Sequence, residues 1–266
     1  MDLYREIESL VEQIPDGMFS TYKAVAIALG DEIAESAVKQ FLEGRENRNV
    51  SSSAKDGNHF FNKFKTTFPL KKLREEQLEL SRKVITDDDF GEIESVAGMD
   101  VAYAGDTAYG AYVEMDTECR IIKRKTVKMK VDFPYIPTYF SYREMPVLNE
   151  LFKKEKPSVV MVDGNGILHP RQFGMASHFG FLNSVPSIGI AKKLLCGKID
   201  GNYIYIKGKK VGFMHGKEKP IYISVGHKIS LESSLALIKK FCRYRIPEPL
   251  RQAHMLARTA RNENNL

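Results

Sequence analysis

The stretch "SVAGMDVAYAGDTAYGAYVEMDTECRIIKRKTVKMKV", residues 95–131, decides the fold. It divides into three strand-like runs, "SVAGMDVAYA", "AYGAYVEMD" and "RIIKRKTVKMKV", joined by the turn signals "GD" and "DTE". Connections this short join antiparallel neighbours, so the three runs form a meander. Downstream, a helix over roughly Tyr142 to Lys153 leads into an apolar strand at Val159–Val162, and a second helix over "PRQFGMASHFGFL" leads into "PSIGIAK". Strands alternating with helices pair parallel onto one sheet. The predicted class is α/β: a mixed sheet of three antiparallel strands followed by βαβ units, with helices on its faces.

Three antiparallel strands followed by αβαβ is the order of the ribonuclease H-like fold. Upstream, "LYREIESLVEQI" places Leu3, Ile7, Leu10, Val11 and Ile14 at helical spacing, and "STYKAVAIALG" and "IAESAVKQFL" read as two further short helices. Three short helices suggest a small helix-turn-helix-like module over residues 1–45. The polar, basic segment 46–68 reads as a linker or mobile loop, and residues 69–258 as the main domain with a polar tail at 259–266. The main domain opens on an amphipathic helix, "LKKLREEQLELSRKVI", with Leu73, Leu78, Leu80 and Val84 among charges.

The bulk numbers narrow the class. A chain of 266 residues supports one large core and a smaller appendage. With 43% hydrophobic and 28% charged residues it has ordinary soluble composition, and no apolar run approaches the roughly 20 residues of a membrane span. Acids at Asp2, Glu6, Glu8 and Glu12 are unlike a secretory signal, so a cytoplasmic protein with no membrane partner is expected. Cys119, Cys196 and Cys242 are widely separated and lack metal-binding spacing, which argues against zinc and a disulfide framework. Residues 1–45 hold four basic and nine acidic positions, leaving 36 basic against 25 acidic beyond them, a balance of +11. Any phosphate-binding face therefore belongs to residues 46–266.

Three carboxylates carry the chemistry. Asp163 stands where the Val159–Val162 strand exits into a glycine turn, at the strand end where ligands bind in open α/β sheets, although a turn-forming Asp-Gly pair also reads this way. Asp100 lies within an almost wholly apolar strand, where an ionised carboxylate costs several kcal/mol to bury without a cation or an open cleft. Glu144 shares one helix side with Leu148, Leu151 and the neighbouring Phe152, so it points toward the sheet. Three converging acids repel one another unless divalent cations neutralise them, and oxygen-only ligands favour Mg2+, with Mn2+ as a substitute. On such a framework the expected chemistry is metal-assisted phosphodiester hydrolysis. His169, one tight turn beyond Asp163, is a candidate proton donor or phosphate ligand, or else a surface His at a helix start. Lys192, at the carboxyl end of "SIGIA", is a candidate phosphate holder, or else a snorkelling surface Lys.

The blocks "GMDVAY", "PYIPTYFSYRE", "VDGNGILHPRQFGMASHFG", "PSIGIAK", "SVGHKISLESSL" and "YRIPEPLRQAH" follow the order found in endonuclease V, and the chain resembles that family from about Leu73 to His254. The resemblance implies a Mg2+-dependent DNA repair endonuclease that recognises deaminated purines, chiefly deoxyinosine. Such an enzyme hydrolyses the second phosphodiester bond on the 3′ side of the lesion. It also implies Asp100, Asp163 and Glu144 as metal ligands, His169 and Lys192 as supporting catalytic groups, and Pro134-Tyr135-Ile136-Pro137 as a strand-separating wedge. Gly166 and Phe140 would line the pocket for the extruded base, with Arg143 and His227 near the site or the DNA backbone. Thr138 departs from the family, which usually has Gly after "PYIP".

The N-terminal "IPDGMFSTYKAVAIALG" is similar to the DNA-binding part of alkylguanine DNA alkyltransferases. No cysteine precedes Cys119 and Ser36 takes the place of the arginine that enters the DNA stack, so this module is expected to transfer no alkyl group. The expected partner is DNA containing deaminated bases, with inosine-containing RNA as a further candidate, and a monomer is favoured. Two alternatives stay open: a non-catalytic nucleic-acid binding protein of this fold, and an inosine-specific ribonuclease.

Overall fold

The computed structural model describes residues 1–43, 45, 49–52 and 59–263, which fall into two compact units: Met1–Glu76 with Asp132–Arg143, and Gln77–Val131 with Glu144–Leu266. In the first unit, α1 (Leu3–Val11) starts at Asp2, whose carboxylate accepts the Arg5 N–H at 3.1 Å, and its Leu3, Ile7 and Leu10 form one buried stripe. Strand β1 (Ser20–Thr21) runs into α2 (Tyr22–Leu29), where Thr21 Oγ1 accepts the Ala24 N–H at 3.1 Å. A single 3-10 turn, Glu32–Ala34, precedes α3 (Glu35–Glu43), and β2 (Val50–Ser51) pairs parallel with β1.

Residues 46–48 and 53–58 of the expected linker lie outside the described residues, and part of the remainder packs on the helices, although Phe60 and Phe68 stay exposed. Phe60 bridges to Phe19, and Phe61 and Phe64 pack on the helical core. Gln13 clamps the backbone of Lys65, accepting its N–H at 2.7 Å and donating to its carbonyl at 3.0 Å. The aromatic residues among the polar ones provide that burial. Leu3, Ile7, Val25, Leu29, Val38 and Leu70 then share one core with Phe133, Ile136 and Tyr139. The 132–143 segment, read from sequence as part of the 69–258 domain, therefore packs with the N-terminal helices.

Helix α4 (Pro69–Ser81) buries Leu70, Leu73 and Gln77 at i, i+3 and i+7, while Leu78 stands 45% exposed, and the helix stops before Val84. In the second unit the meander is present: β3 (Ser95–Ala104), β4 (Thr107–Asp116) and β5 (Ile121–Lys130) pair antiparallel, with Asp100 opposite Ala111. Helix α5 (Phe140–Phe152) precedes β6 (Val159–Asp163), which pairs parallel with β3, and β7 (Ser187–Ala191) pairs parallel with β6. The helix between them, α6 (Met175–Asn183), starts five residues later than its sequence pattern suggested. Residues 170–174 form a turn in which Gln172 has φ 52°, and the Gly174 and Ala176 N–H groups bond back to the carbonyls of Gly166 and Asn165 at 3.0 Å each.

Four strands that the sequence did not reveal widen the sheet: β8 (Lys198–Asp200), β9 (Tyr203–Ile206), β10 (Lys209–His215) and β11 (Ile221–His227). The resulting order is β5-β4-β3-β6-β7-β11-β10-β9-β8. Lys207 and Gly208, with φ 50° and 77°, form the two-residue turn of the β9–β10 hairpin, the geometry that suits the strand twist. Helices α7 (Leu231–Phe241) and α8 (Glu248–Glu263) complete the unit. Residues 259–263 of the expected tail continue α8, and 264–266 lie outside the described residues. Among the described residues no helix is long and apolar enough to cross a membrane.

Candidate metal centre

Side chains alternate faces along a strand, and the glycines of the meander show what covers each face. A Cβ on Gly110 would meet Val147 Cγ1 at 2.5 Å, so α5 covers one face. A Cβ on Gly98 would lie 2.2 Å from the carbonyl carbon of Pro249, so the backbone of α8 rests directly on β3 on the other face. Asp100 is two residues beyond Gly98 and shares that face. His254 is one turn beyond Leu250 on α8. A helical turn of four residues advances about 6 Å and two strand residues about 6.6 Å, so the glycine contact brings His254 over Asp100. His254 Nδ1 lies 2.6 Å from Asp100 Oδ2.

Asp163 ends β6, and the parallel register that pairs Met99 with Val162 sets it beside Asp100 on the same face. Lys192, just past β7, donates to Asp163 Oδ2 at 2.5 Å. Burial and the neighbouring Asp100 carboxylate push the Asp163 pKa up to about 6, against the opposing pull of the Lys192 ammonium. Among the described residues, Asp100, Asp163 and His254 form the group placed to hold a metal ion, with ligand atoms all within 4.8 Å of one another. Two carboxylates and one imidazole fit a divalent cation, and a cation between them would relieve the repulsion that raises Asp163.

The other sequence candidates separate. Glu144 is buried, as its helix stripe required, but it is not in the 4.8 Å group. It comes from α5, on the opposite face, and accepts from Tyr103 Oη at 3.3 Å. His169 is 3% exposed rather than a surface histidine, and its Nδ1 accepts the Arg171 N–H at 3.2 Å. Gly166 has a packing reason for its missing side chain: a Cβ there would lie 1.9 Å from the Val225 carbonyl oxygen, and its N–H donates to Ser224 Oγ at 2.9 Å. His227, which the resemblance puts near the active site or the DNA backbone, is buried, with Nδ1 accepting the Ile85 N–H at 3.2 Å and its pKa lowered by that burial.

The 134–137 loop, in the first unit, divides by alternation. Pro134 and Ile136 are buried, Ile136 completely, so neither is a substrate-facing group in this arrangement. Tyr135, 58% exposed, and Pro137 face outward, and Phe140 meets Tyr135 edge to face at 5.1 Å. Arg143, which the resemblance puts near the active site or the DNA backbone, is buried and donates to the Phe133 carbonyl and, at 3.3 Å, to Tyr4 Oη. The sequence reading missed His254. The available signal was a histidine flanking the apolar stripe of Leu250, Ala253 and Ala257 in the "YRIPEPLRQAH" block, which gains a partner only when α8 meets β3.

A meander followed by βαβ units, with one carboxylate midway along β3 and another at the end of its parallel neighbour β6, defines a ribonuclease H-like protein with a candidate metal centre. The chain belongs to the endonuclease V family, whose family model matches residues 78–255, well over half of its length. It is 39% identical to the endonuclease V of Dictyoglomus turgidum over 70% of this chain and 88% of that protein. Over 96% of its length it is 33% identical to a bifunctional methyltransferase/endonuclease of Picrophilus torridus, covering 95% of that relative. Among solved structures, human endonuclease V superposes with a TM-score of 0.67 at 30% identity, covering 74% of this chain and all of that one. The Ciona intestinalis enzyme, solved with a 24mer DNA containing an inosine followed by a ribo-adenosine, gives 0.68 at 30% identity over 73% of this chain and 98% of its own.

Proposed function

We propose that this chain is a DNA repair endonuclease that recognises deoxyinosine and hydrolyses the second phosphodiester bond 3′ to it. The observation that carries the reading is the meeting of Asp100, Asp163 and His254 in a member of the endonuclease V family. The Ciona intestinalis member of this family has been solved on inosine-containing DNA. Asp100 and Asp163 would hold the ion, Mg2+ with Mn2+ as a substitute, whose chemistry is to polarise phosphate oxygens and acidify water. His254, with Nδ1 2.6 Å from Asp100 Oδ2, would complete the donor set and hold the Asp100 carboxylate in place. Lys192 offsets the charge of Asp163 and stands ready to turn toward the scissile phosphate. His169 is the proton donor to the leaving oxygen, while Glu144, on the other face of the sheet, is held by the Tyr103 hydroxyl. The outward Tyr135 ring stacks where the base leaves the duplex.

The N-terminal module is read as inactive in alkyl transfer, because residues 1–118 contain no cysteine to accept the group. Cytoplasmic location and a monomeric state complete the proposal. The test is incubation of end-labelled strands carrying one deoxyinosine, or one inosine in RNA, with Mg2+ and either the wild type or Asp100→Ala. A nick two bonds 3′ of deoxyinosine by the wild type alone is the expected result. Equal nicking by both proteins, or no nick near the lesion, overturns the proposal, and a nick in RNA alone moves the assignment to an inosine-specific ribonuclease.

A further inference from the structure

We propose that the N-terminal helical module is a mount that holds the 134–137 loop in its strand-separating shape, an inference that rests on the wedge reading of Tyr135 given above. Three independent observations carry it. The first is the shared core. Phe133, Ile136 and Tyr139 are each no more than 3% exposed and lie in one cluster with Leu3, Ile7 and Leu29 of the module. Because Pro134 and Ile136 point inward on alternate positions, the same packing sets Tyr135 and Pro137 outward.

The second observation is a set of polar pins at both ends of the loop. Before it, the Leu3 N–H donates to the Asp132 carbonyl at 2.9 Å. After it, Tyr139 Oη donates to Asp31 Oδ2 at 2.7 Å, and Arg143 joins Tyr4 Oη to the Phe133 carbonyl. Each pin ends on a module residue or ties one to the loop. Hydrogen bonds of this kind to charged groups are stronger than neutral ones and fix direction as well as distance.

The third observation is Thr138, whose φ of 67° puts a β-branched residue in the left-handed region. A conformation so unfavourable to its own residue persists only where the surroundings over-determine it. The shared core and the pins are those surroundings. A module without alkyl-transfer chemistry thereby acquires a mechanical role, keeping a short loop rigid so that no binding energy is spent on ordering it.

The test compares single-turnover cleavage of deoxyinosine in a duplex with cleavage in a single strand, because strand separation matters only for the duplex. The double variant Tyr4→Phe/Tyr139→Phe removes two pins and keeps both rings. Its duplex rate is expected to fall by about tenfold, the size of one or two lost hydrogen bonds to charged groups, with the single-strand rate kept within about twofold. Tyr135→Ala tests the wedge reading itself and is expected to lower the same ratio. If Tyr135→Ala leaves the ratio unchanged, the wedge reading falls and the mount with it. If Tyr135→Ala lowers the ratio but the double variant does not, or lowers both rates equally, the mount alone is overturned. Hydrogen exchange gives a second readout free of activity. Faster exchange at 132–143 in the double variant, with 95–104 unchanged, supports the mount, and unchanged exchange at 132–143 contradicts it.

Discussion

The two units place their candidate functional groups by different means. In the nuclease unit, backbone register does the placing: Asp100 and Asp163 are neighbours because β3 and β6 pair in parallel, and Gly98 lets α8 settle close enough for His254 to reach. In the helical unit no ladder runs through the loop, and Tyr135 is aimed by what lies buried behind it. A register-built site tolerates changes in nearby side chains but not in backbone spacing. A packing-built site behaves in the opposite way.

The largest expected effect breaks the first region outright. Asp163→Ala removes one of two carboxylates from the cluster, and loss of several kcal/mol of transition-state stabilisation corresponds to a fall in cleavage of about a thousandfold or more, with the fold retained. Next comes the packing-built region: Ile136→Ala empties a fully buried site and should destabilise the helical unit by about 2–5 kcal/mol in denaturant melts. Mn2+ binding by the same variant is expected to stay at the wild-type level, and a parallel loss would erase the distinction between the regions. Gly98→Ala tests spacing. The added methyl meets the α8 backbone, so a cost of about 1–3 kcal/mol and a fall in cleavage exceeding any fall in folded fraction are expected.

The smallest effect is a pH dependence. Burial and Asp100 raise the Asp163 pKa to about 6, above the ordinary value near 4, so the metal-free folded protein binds this proton more tightly than the unfolded chain. Its contribution to stability is present at low pH and is lost as pH rises from about 4 to about 6. In chelator, Asp163→Asn should therefore gain in melting temperature relative to the wild type across that window and hold the gain above it. A difference between the two proteins that is flat in pH would contradict the environment described for Asp163.

What could be read from sequence follows the same division. The meander, the βαβ order, Asp100, Asp163 and Lys192 were legible because alternation and strand-end position are local patterns. β8 to β11 were not, since "KID" and "YIYIKGKKVGFMH" mix short strands with lysines and glycines that resemble loop composition. Glu144 was legible as an inward acid, but not the sheet face it came from, and His254 acquires its meaning only when α8 meets β3. The resemblance implied a wedge at "PYIP", and the burial of Pro134 and Ile136 could be placed only once the helical core was known.

The most direct check of the central claim is a Mn2+ titration followed by electron paramagnetic resonance on the wild type, Asp100→Ala and Asp163→Ala. Mn2+ is expected to bind the wild type, to be released by excess Mg2+, and not to bind either variant. Equal binding by all three proteins would contradict the assignment of Asp100, Asp163 and His254 as the metal centre.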